Sequence, residues 1–377
     1  MSSSAELLSV RSPRLLPDLI VQVASRLAGS AVAMYVIDLD GSCAMRLAGD
    51  ASRFPDCIVA PVGVGPEVVP GLLSLLRKHV LEAVPGSGFA PLIVRDRVMG
   101  FLLAGRAPAE PLDHFAGEAA VALELASGYT DALHFARRRK DTRPAAEIQQ
   151  NLLPPRLACL DGVELAGGVL PGYEVGGDFF DYADNADGLW LAVADAAGKG
   201  NAAAALASLA IGSLRAARRA GAGLREQVCE VHEATLEVDD DRFLTGVFAC
   251  WDARGSLRWI NCGHPPPLVV RVDGRIEELD GEHTFPLGIL ERERSFTILS
   301  TQINPRERLL IYTDGLTERR RADGTLLGVD GLRDALAGLR DQPPAVIVRG
   351  LQDAVIAVSP EPLRDDTTML VLAPAKR

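Results

Sequence analysis

Two short stretches constrain this chain most. Val175-Gly176-Gly177-Asp178-Phe179-Phe180-Asp181 and Ala194-Asp195-Ala196-Ala197-Gly198-Lys199-Gly200 each set an aspartate at the edge of an apolar run, beside glycines that let backbone come close. Between them, Gly188-Leu189-Trp190-Leu191-Ala192-Val193-Ala194 reads as a buried strand. Asp178 and Asp195 are therefore expected at neighbouring ends of two paired strands. Two more acidic positions come later in similar settings. Asp314 ends the run Leu309-Leu310-Ile311-Tyr312-Thr313, and Asp365-Asp366 precede Thr367-Thr368-Met369-Leu370-Val371-Leu372. Four carboxylates at four strand edges point to one all-oxygen metal site, the kind that suits Mg²⁺ or Mn²⁺. Taken singly, each has a structural reading as well: Asp314-Gly315 is a common turn pair, and Asp365-Asp366 a charged strand edge.

The rest of the chain narrows the class. Its 377 residues are enough for about two or three domains. A net charge of −11 argues against a general nucleic-acid binder. The N-terminus has neither the basic nor the apolar part of a signal peptide, and no uncharged apolar run is long enough to span a bilayer. The six cysteines are scattered without a CxxC pair, so neither a zinc site nor a disulfide framework is indicated. A cytoplasmic protein that is not bound to membrane is the expectation.

In order, apolar spacing predicts a helix over 15–28, a hairpin of 31–37 with 44–47, a strand over 58–62 and a helix over 68–83. A second hairpin, 91–94 with 98–104, and a long helix over 112–140 follow. His79, His114 and His134 sit singly on these helical segments and read as surface or satisfied residues. Arg137-Arg138-Arg139-Lys140 reads as a solvated helix end. Pro144 fits the first turn of a new helix that stops at Pro154-Pro155. The domain boundary is placed here: a tail over 1–14, a first domain over 15–136, a helical linker over 137–155 and a second domain over 156–377.

Strands then dominate. The segments 163–169, 175–182 and 189–195 are expected to pair in succession. Asn201 is the expected N-cap of a helix over 202–220, followed by a helix over 224–236. Hairpins are expected at 243–251 with 256–262 and at 268–272 with 275–279, the latter across Asp273-Gly274. Strands over 296–300 and 309–313, helices over 331–339 and 345–358, and a strand over 368–372 complete the reading. Two packed antiparallel sheets with helices outside are the simplest arrangement.

Other chemistries fail on spacing. Gly198-Lys199-Gly200 has Val193 where a P-loop needs its first glycine, and Gly200 where it needs Ser or Thr. There is no HExxH, no cysteine six residues before an arginine, and no serine nucleophile elbow. Seven motifs in order carry a resemblance: Ile148-Gln149-x-x-Leu152-Leu153-Pro154, Val175 to Asp181, Asp195-x-x-Gly198-Lys199-Gly200, Asn261-Cys262-Gly263-His264-Pro265-Pro266-Pro267, Pro286-Leu287-Gly288-Ile289, Tyr312-Thr313-Asp314-Gly315-Leu316-Thr317-Glu318 and Arg364-Asp365-Asp366-x-Thr368. Over 145–373 the chain resembles the SpoIIE-like branch of the metal-dependent (PPM, type 2C) serine/threonine protein phosphatases. Over 15–136, the order helix, hairpin, helix, hairpin, helix resembles a GAF-type sensor domain.

The resemblance implies an α+β chain: a GAF-like α/β sensor, then a PPM-type α-β-β-α sandwich of two antiparallel sheets flanked by helices. It implies two Mn²⁺ or Mg²⁺ ions. Asp195 would bridge them, Asp178 and the carbonyl of Ala196 would serve the second, and Asp314 and Asp365 the first. Asp181 and Asp366 are read as supporting or structural. His264 reads as a turn former rather than a general acid, and Lys199 as either a phosphate contact or a surface lysine. The implied substrate is a phosphoserine or phosphothreonine on a STAS-type anti-anti-sigma factor. The implied control comes from a homodimeric sensor with an unidentified ligand, acting through the helix that leads into Leu152-Leu153-Pro154. Pro144 interrupts that helix and allows a hinge. Two rivals stand beside this: a PPM-fold regulator without catalysis, and a phosphatase of small phosphorylated metabolites.

Overall fold

The structure is a computed structural model that describes residues 7, 10–68, 70–139, 143–171, 176–238, 242–252, 254–281, 284–289 and 295–375. The chain divides into two compact units, Met1–Asp141 and Thr142–Arg377.

The first unit is one antiparallel sheet with helices on its faces. Helix α1 (Leu16–Ala28) ends on Gly29, which takes the left-handed conformation a helix stop favours. Strands β1 (Val32–Ile37), β2 (Cys43–Ala48), β3 (Cys57–Val59), β4 (Gly63–Val64) and β5 (Glu67–Val68) follow, then α2 (Leu73–Ala83). Strands β6 (Gly88–Val94) and β7 (Arg97–Ala104) precede α3 (Asp113–Ala126) and α4 (Ala132–Arg137). The sheet runs β3-β2-β1-β7-β5-β4, with β6 also paired to β7. Val32 and Met34 pack with α1 and α3, while Ala33, Tyr35 and Ile37 pack with Leu76 and Val80 of α2. Burial on both faces is why β1 reads as an unbroken apolar run. Arg95 and Asp96 turn the β6–β7 hairpin with φ of 47° and 61°, as a tight two-residue loop demands.

The second unit is a four-layer sandwich. Helix α5 (Pro144–Leu152) opens it, followed by β8 (Leu157–Leu160), β9 (Val163–Leu170), β10 (Phe179–Asn185) and β11 (Gly188–Ala196). Helices α6 (Gly200–Arg219) and α7 (Leu224–Leu236) come next, then β12 (Leu244–Trp251), β13 (Ser256–Cys262), β14 (Leu268–Val270), β15 (Ile276–Glu278), β16 (Leu299–Gln302) and β17 (Arg308–Tyr312). Helices α8 (Gly328–Leu339) and α9 (Pro344–Ala357) lead to β18 (Thr367–Pro374). One sheet is β10-β11-β12-β13-β16 and the other β15-β14-β17-β18-β9-β8. Leu191, Val193, Val247, Ile311 and Leu370 fill the space between the sheets. Ala192, Ala194 and Phe248 face outward onto Leu206, Ile211 and Val228 of α6 and α7. Helix α9 covers β9 and β18 on the far side.

Side-chain parity then decides where the acids go. Phe179 joins the helix-facing cluster and Phe180 the inter-sheet cluster, both fully buried and each worth about 2–3 kcal/mol. Asp178 shares a face with Phe180, and Asp181 with Phe179. In β11, Leu189, Leu191 and Val193 face between the sheets, so Asp195 does too.

Several expectations are corrected. Strand β9 pairs with β8 and β18, not with β10, which lies in the other sheet. The expected helix over 112–140 is interrupted: α3 stops at Ala126, and a 3₁₀ turn over Ser127–Tyr129 precedes α4. Ser127 Oγ donates to the Glu124 carbonyl at 2.7 Å, and Gly128 and Thr130 are poor helix formers. In the segment 68–83, Val68 is a strand residue and α2 begins only at Leu73, after Pro70. Lys199, not Asn201, is the N-cap of α6, because Gly200 at φ 65° already starts the helix. Helix α5 packs on α6 within the second unit. Val175 and the acidic segment 239–241 lie outside the described residues.

Candidate metal centre

The four acids of the expected site come from one end of the sandwich. Phe179 pairs with Ala194, so Asp178 and Asp195 lie side by side as the sequence predicts. Tyr312 pairs with Met369, which brings Thr313-Asp314 next to the start of β18 and to Asp365-Asp366. Two glycines make the approach possible. A Cβ on Gly177 would lie 2.5 Å from the Ala196 carbonyl oxygen, and one on Gly315 would lie 1.9 Å from the Asp366 carbonyl oxygen. Gly177 thus brings the Asp178 loop onto the Ala196 carbonyl.

Exposure rises across the site. Asp178 is buried, Asp195 and Asp314 are half-buried, and Asp365 is exposed. Burial holds the Asp178 carboxyl well above the usual carboxylate range, and the charges of Asp195 and Asp366 add to it. Asp195 is pushed up to about 7, by burial first and then by Asp314. Burial again, then Glu318 and Asp365, raises Asp314. No cation is among the main influences on these three carboxyls; desolvation and nearby acids oppose the ionisation of each, while a side-chain hydrogen bond with Asp178 favours that of Asp195.

Asp178 is held in place by neutral donors. Thr313 Oγ1 donates to Asp178 Oδ2 at 2.7 Å and accepts from Thr368 N–H at 2.9 Å. The hydroxyl thus bridges the Thr368 amide, which can only donate, and the ionised Asp178 carboxylate, which can only accept. Gln149 of α5 donates its Nε2 both to the Asp178 carbonyl at 2.9 Å and to Asp366 Oδ2 at 2.6 Å. Asp366 Oδ2 also accepts from Gly176 N–H at 3.0 Å, so this buried acid ties segments together. Asp181 is buried on the opposite face, where Arg215 Nη2 at 2.7 Å and Arg218 Nη2 at 3.0 Å meet its two oxygens. It is a structural anchor for α6, with no part in the cluster.

His264 shapes a turn, as the sequence reading has it. Its N–H donates to Asn261 Oδ1 at 2.8 Å and its carbonyl accepts from Asn261 Nδ2 at 2.9 Å. Its Nδ1 lies 2.9 Å from Thr245 Oγ1, and burial pushes the imidazole down to about 3, so the ring is neutral at ordinary pH. Lys199 is exposed and lines a cleft together with Gly315 and Asp365. Gln149 and Thr313 stand within quoted motifs, yet the sequence gives them no role. The only available signal was a polar residue set at a position that periodicity marks as buried.

The donors fit divalent cations. They are carboxylate and carbonyl oxygens gathered at one end of the sandwich, the donor type that hard ions take. Among the described residues no three acidic, His or Cys side chains converge into a ready-made cage. Mutual repulsion of uncompensated carboxylates opposes such convergence.

The family model for Stage II sporulation protein E (SpoIIE) matches residues 185–374, just over half of the chain. The chain belongs to the SpoIIE family. The matched span contains Asp195, Asp314 and Asp365 and begins after Asp178. Protein IcfG of Synechocystis is 25% identical over 264 residues, 62% of this chain and 41% of IcfG. Phosphoserine phosphatase RsbU of Bacillus subtilis is 21% identical over 231 residues, 60% of this chain and 68% of RsbU. The chain therefore spans less than half of one relative and about two thirds of the other. The SiaA-PP2C domain of Pseudomonas aeruginosa superposes with a TM-score of 0.52 at 22% identity, covering 61% of this chain and 93% of that one. That likeness shows the PP2C-type fold of this SpoIIE-family chain. Among the described residues, no helix is long and apolar enough to cross a membrane.

Proposed function

We propose that the second unit is a metal-dependent serine/threonine protein phosphatase in bacterial signalling. The observation that carries this is the meeting of Asp178, Asp195, Asp314 and Asp365 at one end of the sandwich, where burial and neighbouring acids raise Asp178, Asp195 and Asp314. Family membership supports the reaction class, and the name of RsbU, a phosphoserine phosphatase, supports the amino acid. Asp195 would hold both of two Mn²⁺ or Mg²⁺ ions, Asp178 and the Ala196 carbonyl the second, and Asp314 and Asp365 the first. When bound, such ions supply positive charge for the phosphoryl group and acidify water. The chain's own residues do the positioning. Thr313 engages one oxygen of Asp178 and orients its carboxylate. Gln149 and Gly176 hold Asp366, and through it the segment that carries Asp365. In this reading His264 serves as a turn former, held by its backbone hydrogen bonds with Asn261.

The substrate in this reading is a phosphoserine or phosphothreonine of a STAS-type anti-anti-sigma factor, and the first unit is a GAF-like sensor. Its control would pass through α5, because Gln149 bonds directly to two segments of the site. The test is phosphate release from phosphoserine and phosphothreonine proteins with Mn²⁺, Mg²⁺ or EDTA, for the native chain and Asp195→Asn. Release that needs metal and is lost in the variant is expected. Absence of release at excess Mn²⁺, or release that survives Asp195→Asn, removes the proposal.

A further inference from the structure

The cleft beside the carboxylates has a volume of about 200 Å³, and its lining includes Lys199, Gly315, Glu318, Arg320, Arg364 and Asp365. Gly315 follows Asp314, and Asp365 lines the cleft and is exposed, so the cleft reaches one of the five proposed ligands and the neighbour of a second. A phosphorylated side chain that reaches them brings its flanking residues along this cleft.

The charges that line it divide by what they already do. Arg319 is buried and donates to the carbonyls of Val355 at 3.3 Å, Ser359 at 2.7 Å and Pro362 at 3.0 Å. It fixes the loop that leads to Arg364 and has little left for a ligand. Glu318 lies near Asp314, on the side of the proposed ions. Glu361 faces Arg364 at 3.6 Å, with side chains 65% and 72% exposed, a pairing that water and any stronger anion displace. Lys199, Arg320 and Arg364 are all exposed. Arg320 uses one nitrogen on the Gly324 carbonyl at 3.3 Å and keeps its other donors. Three exposed cations and three exposed acids thus line the cleft; Asp365 and Glu318 lie on the side of the proposed ions, which leaves Lys199, Arg320 and Arg364 against Glu361 where flanking residues would pass.

We propose that Lys199, Arg320 and Arg364 form a cationic rim that selects phosphoprotein segments bearing Asp or Glu next to the phosphorylated residue. This rests on the phosphatase reading and adds the substrate's sequence character to it. The exposure of all three cations is why the rim reads flanking side chains. Charges there orient and discriminate partners more than they add raw affinity.

The test uses the full chain with Mn²⁺, the triple variant Lys199→Glu, Arg320→Glu, Arg364→Glu, and each single variant. The probes are p-nitrophenyl phosphate and two phosphoserine peptides that differ only in acidic or alanine flanks. Native protein is expected to prefer the acidic peptide by about tenfold in kcat/KM, since each rim charge contributes up to a few-fold. Most of that preference should sit in KM and fall with added salt. The triple variant should bring the ratio to about one or invert it. A native ratio near one overturns the proposal. So does a loss in the triple variant shared equally by the small ester and both peptides, which would place these residues in the fold or the ion site. No turnover of any probe by native protein overturns the phosphatase reading and this inference with it.

Discussion

Asp195→Asn should make the metal-free protein more stable while it removes the response to metal. The native carboxyl is pushed from its usual 3.8 up to about 7 by burial and by its acidic neighbours. A shift of about three units, at about 1.4 kcal/mol each, sets a ceiling near 4 kcal/mol for the cost of ionising it in the folded state. Asp178 and Asp314 share that cost, so a gain of roughly 2 kcal/mol is the working expectation, or about 4–8 °C in Tm for a unit of this size. The folded state holds the proton more tightly than the unfolded chain. The penalty is therefore absent below about pH 4, grows as pH rises, and is complete above about pH 7. Urea or thermal unfolding in EDTA at pH 8 and at pH 5 reads this directly. The variant should be the more stable at pH 8, with the difference shrinking at pH 5. Added Mn²⁺ should raise the native protein and leave the variant where it was. A variant less stable than native protein at pH 8 in EDTA, or an equal gain at both pH values, would refute the argument from crowded carboxylates.

Two further outcomes follow from the hydrogen bonds at Asp178. Thr313→Val keeps the shape but leaves Asp178 Oδ2 and the Thr368 amide without their partner, so Mn²⁺ affinity by calorimetry should fall about 10–100-fold, while Thr313→Ser should stay within a few-fold of native. Equal affinities for the two variants would show that the hydroxyl does not matter. Gln149→Leu removes both donors from α5, with an expected loss of about 1–3 kcal/mol in urea unfolding and a higher Mn²⁺ requirement for phosphate release. An unchanged Mn²⁺ requirement would separate α5 from the metal centre.

The sequence made the local pairings legible. The hairpins at Arg95-Asp96 and Asp273-Gly274 are set by turn chemistry, and the meeting of Asp178 with Asp195 needs only one short connection between β10 and β11. The partner of β9 was not legible. Its apolar run fits any neighbour of the same pattern, and the strand it meets, β18, comes from the far end of the unit. Side-chain alternation does show, once pairing is known, why Asp181 faces arginines and Asp178 faces the other acids. The roles of Gln149 and Thr313 depend on contacts between segments remote in sequence, which no local pattern encodes.

Strand β18 lies between β9 and β17, in the middle of its sheet, although every other strand of the unit precedes it. On the ribosome, β9 must therefore wait with an open edge until the last strand has been made. The sheet β10-β11-β12-β13-β16 has all its strands earlier, but part of its inner face is covered only when Leu370 and Leu372 of β18 arrive. Asp365 and Asp366 arrive with that final strand. A nascent chain thus spends most of its synthesis without Asp365, one of the proposed ligands. Release of an emerging chain before β18 would yield an exposed β9 edge, a natural target for quality control.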